Sequence, residues 1–223
     1  MGIPLLLILV SAIPAGAAFL WFRLSRYPFS CLRILASLFI GASSIFPALL
    51  LQSFFAGILP PVTDTVSLLV EFFVRIAFAE ELGRILLLAP LLLVFGRLDL
   101  SKPRQAPEAT GMACGLFAGL GFGILESAIY GIASPMNALF RAFTSTPLHA
   151  ACGARVGSAA AILREKPVSA LVRFASAVAI HGVYNLLVPL GNLAFLFAIL
   201  IVFSSLASSV LGIARGMRAE DAE

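Results

Sequence analysis

Charge is scarce in this chain. Of 223 residues only 12% are charged, against roughly 25% in an ordinary soluble domain, while 61% are hydrophobic and the mean hydropathy is +1.05. A soluble core cannot absorb that much apolar surface, whereas a bilayer can, so a soluble globular protein is excluded. The ten-residue alternation of an outer-membrane barrel is also missing. Helices are left as the spanning element, because lipid offers backbone groups no partner. No repeat of period 20–50 is present, and neither is a P-loop, a dinucleotide fingerprint, a GxSxG elbow or an HExxH helix. Cysteine is sparse: Cys31, Cys114 and Cys152 are odd in number and lie outside the predicted external loops, which argues against a disulfide framework. No charge precedes the first apolar stretch, MGIPLLLILV. It therefore reads as a span rather than a cleaved signal peptide, and it lacks the Ser or Thr of a myristoylation signal.

What is present is a series of apolar runs. A span needs about 20 residues, and seven runs qualify, at approximately 2–22, 34–59, 66–96, 110–132, 136–161, 168–189 and 192–213. Arg23, Arg26, Arg33, Arg97, Lys102, Arg104, Arg164, Lys166, Arg173, Arg215 and Arg218 then all fall on one side, the cytoplasmic one by the positive-inside rule. The opposite loops, near 60–65, 132–136 and 189–192, hold no Lys or Arg. The expectation is an all-α integral membrane protein of seven transmembrane helices, N-terminus outside and C-terminus cytoplasmic, with residues 1–223 as a single polytopic domain. Its net charge of +4 sits in cytoplasmic loops, so no nucleic-acid partner is implied. The longest linker is the proline-containing stretch 97–109, RLDLSKPRQAPEA.

Two spans have unusual features. Gly111, Gly115, Gly119 and Gly123 form a four-residue ladder in span four, which lets another helix approach to backbone contact and would pin Glu126 against a neighbour. The third run, as one helix, would extend about 46 Å against a hydrocarbon core of about 30 Å. Its first part, with Glu71 and Arg75 at i,i+4, is placed in the outer interface, and Pro90 is expected to kink its lower half.

A minority of the charges fall inside the predicted spans. Arg75, Arg84, Arg141 and Arg155 lie within them, as do Glu71, Glu80, Glu81, Glu126 and both histidines of the chain, His149 and His181. Each costs about 2.5–3.5 kcal/mol at mid-bilayer, so such groups mark a functional site by default. Counting rise along the helices puts Glu126 about 9 Å, His181 about 12 Å and His149 about 20 Å from the outer end of their spans. Glu80 and Glu81 lie at a comparable depth. The i,i+4 spacing predicts an ion pair between Glu80 and Arg84, with Glu81 turned about 100° away. Phe122, Glu126 and Tyr130 share a face, as do His181 and Asn185. A carboxylate beside an imidazole can hold and deprotonate a water for attack on a peptide carbonyl, and a nearby His or Asn can donate to the oxyanion. No cofactor is required by that scheme. A zinc site assembled from His149, His181 and Glu residues stays open as a second chemistry. Ser127 and Ser145 are weaker candidates as nucleophiles. A structural polar network and a proton relay are the competing readings, and nothing supports the inverted repeats of a transporter.

At these residues the sequence resembles the PrsW family of intramembrane proteases, within the wider group of CAAX prenyl endopeptidases and the Aph subunit of γ-secretase. AEELGR carries Glu80, Glu81 and Arg84, and GFGILESAIYG carries Phe122, Glu126 and Tyr130; RAFTSTPLHAACG supplies Arg141 and His149, and HGVYN supplies His181 and Asn185. The motifs stand in family order over residues 79–185, and the first two spans and the last add only topology. The resemblance implies a glutamic-type membrane endopeptidase in which Glu80 positions the attacking water while His181 and Asn185 stabilise the oxyanion. Catalytic roles fall on Glu80, Glu81, Glu126, His149, His181 and Asn185, with Arg84, Tyr130 and Arg141 in support. Where prenyl endopeptidases have a histidine this chain has Glu126, which leaves its role as base, acid or ligand open. The implied substrate is a single-span membrane protein cut near its extracytoplasmic side, as in site-1 cleavage of anti-sigma factors, in a bacterial inner membrane. An Aph-like scaffold without catalysis is the alternative.

Overall fold

The computed structural model describes residues 2–25, 29–98 and 107–220, and every regular element within them is helical. In chain order these are α1 (Gly2–Ser11), α2 (Ile13–Leu24), α3 (Cys31–Ser43), α4 (Ile45–Ile58), α5 (Thr65–Val70), a π-helix (Glu71–Phe78), α6 (Ala79–Leu98), α7 (Pro107–Ala133), α8 (Pro135–Phe143), α9 (Ser145–Ile162), α10 (Pro167–Leu187), a 3₁₀ turn (Val188–Leu190) and α11 (Asn192–Glu220). Arg26, Lys102 and Arg104 lie outside the described residues. The stretch read as a linker ends sooner than expected, since α7 begins at Pro107, a residue suited to the first helical turn.

Among the described residues four segments are long and apolar enough to cross a membrane: Cys31–Ile58, Pro107–Ala133, Pro167–Leu190 and Asn192–Arg218. Leu5–Ser11 with Ile13–Leu24, bent by 45° at the break, makes a fifth if the pair is one span. Two of the seven predicted spans therefore fall short. The run 66–96 carries Glu71, Arg75, Glu80, Glu81 and Arg84 and is divided into α5, the π-helix and α6. The run 136–161 is broken at Thr144, whose backbone (φ −123°, ψ −64°) is not helical. Its longer part, α9, is rich in Gly, Ala and Ser rather than large apolar residues.

The molecule is organised around the antiparallel pair α7 and α9. Each four-residue step of the α7 ladder meets a step of α9: Gly111 faces the Gly157 carbonyl, Gly115 that of Gly153, Gly119 that of His149, and Gly123 the backbone of Thr146. A Cβ at Gly111 would lie 2.5 Å from the Gly157 oxygen, so the axes approach as closely as backbones allow. A second face of α7 repeats the device, with Gly121 against the Leu38 carbonyl and Gly41 of α3 against that of Ala118. Small residues let van der Waals packing hold helices together in lipid, where hydrophobicity cannot. Arg155, in contrast to the other deep charges, serves this framework. It donates to the Ala151 carbonyl (3.0 Å) and to Ser209 Oγ (2.9 Å), tying α9 to α11.

Before the π-helix, Asp64 caps α5 by accepting from the Ser67 backbone N–H at 2.8 Å, while Ser67 Oγ accepts from the Asp64 N–H. The bonds donated to its Oδ1 by the Ser67 N–H and the Ser67 hydroxyl hold the exposed Asp64 carboxyl below its ordinary value of 3.8. A lowered folded pKa means the cap's contribution is complete above the unfolded pKa and is lost as pH falls through the folded one. Hydrogen exchange of amides 66–70, corrected for intrinsic rate, is expected to speed up on acidification below about pH 3.8. In Asp64→Ala it should be fast and insensitive to pH over that range.

Candidate active site

Six charged or imidazole side chains from four helices converge beside the α7–α9 seam. The first turn of α6 supplies Glu80 and Glu81, and its next turn supplies Arg84. Glu126 comes from α7, His149 from α9 and His181 from α10. All but Glu126 are at most 5% exposed. The π-helix directly precedes the α6 residues; such wide turns recur next to functional groups, because the extra residue per turn re-aims the side chains beyond it. Its own Glu71 and Arg75 pair with each other at 3.0 Å and take no part in the cluster.

The hydrogen bonds settle which pairs form. Arg84 is bonded to Glu81 of the preceding turn, not to Glu80 as the i,i+4 spacing predicts. Both spacings bring side chains together on a helix. Arg84 takes the i,i+3 partner because Glu81 faces the interior, where the guanidinium also reaches His149 Nδ1 (3.2 Å) and stacks on Phe122, 4.8 Å from its ring centre. Glu81 then accepts from His181 Nδ1 at 2.8 Å. A carboxylate can only accept, so that nitrogen carries the hydrogen, and in the neutral imidazole the His181 Nε2 lone pair is left to face Glu80, 3.6 Å away. The same logic assigns His149: Arg84 can only donate, so Nδ1 accepts, and Nε2–H points to Glu126 Oε2 at 2.8 Å.

Glu80 is held differently. Its Oε1 accepts from Gln52 Nε2 of α4 at 3.0 Å, and its buried Oε2 has no hydrogen-bond partner. Glu126 also pairs with Arg141 of α8 at 2.5 Å, and Arg141 lies over the Tyr130 ring at 4.2 Å and donates to Ser145 Oγ at 2.9 Å. Tyr184 donates to Thr144 Oγ1 (3.0 Å), anchoring the α8–α9 break to α10 one turn from His181. Neither Ser127, bonded to Thr146, nor Ser145 is paired with an imidazole.

A cavity of about 430 Å³ opens on this cluster. Its wall includes Glu80, Glu126, His149, His181 and Asn185, together with Tyr130, Arg141 and the apolar Phe72, Ile76, Phe140 and Val188. Glu81 and Arg84 are not in that wall; they stand behind the histidines. Each residue expected at the site is thus in the cluster or lining the cavity. Gln52, Thr144 and Tyr184 were not anticipated. The one available signal for Gln52 was a carboxamide in an otherwise apolar span.

These features define a class: a polytopic helical membrane protein with an acid–imidazole centre buried among its helices and lining a cavity. The sequence matches the family described as PrsW family intramembrane metalloprotease over residues 30–210, and the chain belongs to that family. It is therefore an integral membrane protein of a peptidase family, and the match runs from the end before α3 into α11. Comparison with curated proteins and with solved structures returns no match.

The family description includes a metal, and the side chains accommodate one. Glu80, His149 and His181 each offer a donor atom, and the three atoms lie within 4.8 Å of one another. Two imidazoles and a carboxylate are a common catalytic zinc set. Glu80 Oε2 is the buried oxygen without a partner, and His181 presents Nε2 because Glu81 holds Nδ1, the carboxylate–histidine arrangement that orients metal ligands. His149 uses both nitrogens, on Arg84 and Glu126, and has to release one of them to become a ligand.

Proposed function

We propose that this protein is an intramembrane endopeptidase that hydrolyses peptide bonds in single-span membrane proteins near their extracytoplasmic side. Anti-sigma factors in a bacterial inner membrane are the natural substrate class. The observation that carries the reading is the Glu80–His149–His181 donor group, buried yet open to a cavity with both polar and apolar walls. Supporting it, the two helices too polar to be read as spans by composition, α6 and α9, carry four of the six clustered side chains, Glu80, Glu81, Arg84 and His149. Helix α9 has 18 residues, about 27 Å of rise, and is buried along nearly its whole length. With α1–α2 as one bent span and α6 and α9 as internal ones, the seven-span topology, N-terminus outside, follows from the one-sided basic loops.

In this reading Glu80, His149 and His181 would hold a zinc ion, whose chemistry is to polarise a carbonyl and ease deprotonation of a water. Glu81 keeps His181 in the tautomer with Nε2 free. Glu126, on the cavity wall, accepts the water proton and returns it to the leaving amide nitrogen; Arg141 holds that carboxylate in place. Asn185 reaches the same cavity, where its amide can donate to the oxygen of the tetrahedral intermediate. The apolar wall receives substrate side chains, and closure of the helices around the site limits bulk water.

Proteolysis of a reporter membrane substrate by purified protein in liposomes tests this. Glu80→Gln, His149→Ala and His181→Ala are expected to abolish turnover while remaining folded, and Glu126→Gln to lower kcat about 10²–10⁴-fold. A strong chelator should inactivate the wild type and zinc restore it. Activity that survives chelation but not Glu80→Gln would transfer the chemistry to a cofactor-free glutamate. Folded wild type that cuts none of a broad substrate panel would favour a scaffold.

A further inference from the structure

Helix α4 reads IFPALLLQSFFAGI, and apart from the small Ser53 its only polar side chain is Gln52. A carboxamide in lipid is costly unless bonded. Gln52 is half-buried, lines the cavity and gives its Nε2 hydrogen to Glu80 Oε1 at 3.0 Å. Among the described residues no other donor is hydrogen-bonded to that carboxylate. The terminal nitrogens of Arg84 bond Glu81 and His149, and Arg141 bonds Glu126 and Ser145. His181 Nε2 stands 3.6 Å from Oε2, too far for a good bond, and in the neutral imidazole carries no hydrogen once Nδ1 donates to Glu81. Helix α4 is brought close by Gly83 of α6, where a Cβ would meet the Ala48 backbone nitrogen at 2.8 Å. The amide thus divides the Glu80 carboxylate into an anchored oxygen and a buried, unpartnered one on the histidine side.

We infer that Gln52 is a positioning residue for hydrolysis, fixing Glu80 so that Oε2 faces the donors of His149 and His181. The inference rests on the peptidase reading above. It places part of the site on a helix that carries no other member of the cluster, and it explains why a lipid-facing helix keeps a carboxamide.

Gln52→Met keeps length and volume but removes the donor. Liposome proteolysis, the melting temperature of the detergent-solubilised protein and zinc affinity by chelator competition are compared for wild type, Gln52→Met and Glu80→Gln. The expected result is kcat down about 10–100-fold for Gln52→Met, KM within about twofold and zinc affinity weakened by a similar factor, as for other residues that orient metal ligands. Melting should stay close to wild type. If Glu80→Gln is inactive while Gln52→Met keeps its kcat or its zinc affinity, the inference is overturned and the peptidase reading stands. A fall in kcat accompanied by loss of folded protein overturns it as well, since the amide would then be only structural. If Glu80→Gln turns over like wild type, both fail together. If the wild type cuts without binding zinc, only the metal part of the reading fails, and the kcat and KM criteria still judge Gln52.

Discussion

Gly119→Val is expected to remove both folded protein and proteolysis. The Gly119 Cα faces the carbonyl of His149, and any Cβ there meets backbone rather than the end of a flexible side chain. Relief requires α7 and α9 to separate along their whole ladder, because Gly111 and Gly115 share the same axis. Overpacking by a methylene or two costs about 1–3 kcal/mol in a core that can adjust; a rigid backbone seam should exceed that range. The carbonyl being pushed belongs to His149 itself, so the His149–Glu126 bond is displaced together with the fold. Gly57→Val in α4, where a Cβ meets nothing within 4 Å, is the control and should leave yield and melting near wild type. The comparison needs only size-exclusion profiles and melting curves in detergent. A Gly119→Val protein that melts and cuts like wild type would contradict the seam as the organising contact.

The second large effect concerns Glu81, whose removal should unfold the protein without touching the cavity wall. Glu81→Ala leaves Arg84 fully buried beside His149 without its carboxylate and takes the acceptor from His181 Nδ1. Breaking a buried ion pair from one side costs about 3–5 kcal/mol, because a charge is left uncompensated. Replacing both partners by apolar residues of similar volume is often neutral, since the desolvation cost disappears with the pair. Glu81→Leu combined with Arg84→Met is therefore expected to recover most of the lost melting temperature. Turnover should not recover, because His181 is then free to present the wrong nitrogen. Restored activity in the double variant would show that Glu81 contributes only to folding.

Much of the site could be read in the sequence for one reason. A charge in a bilayer is penalised wherever it lies, so Glu80, Glu81, Arg84, Glu126, His149 and His181 stood out one by one against an apolar background. Arg155 stood out equally and belongs elsewhere, as a link between α9 and α11, because the penalty marks a group that needs a partner without saying which partner. The i,i+4 rule failed at Arg84 for the same reason: two carboxylates were within reach on the helix, and the choice was made by His149 and Phe122 arriving from other helices. The helix breaks at Ala12 and Thr144 fall inside runs read as continuous, although a proline follows each within three residues, Pro14 and Pro147.

The apolar excess, the helical class, the position of α7, α10 and α11 and the identity of the ionisable residues are determined by the amino-acid sequence alone. They depend on local composition and on the cost of exposing charge to lipid, both properties of single residues and their neighbours. The pairing of Arg84 with Glu81, the tautomers of His149 and His181, the recruitment of Gln52 from α4 and the π-helix ahead of Glu80 were decided by tertiary structure. Each depends on the distance and direction between groups far apart in the chain, and those are set by how closely the glycine seams let the helices approach.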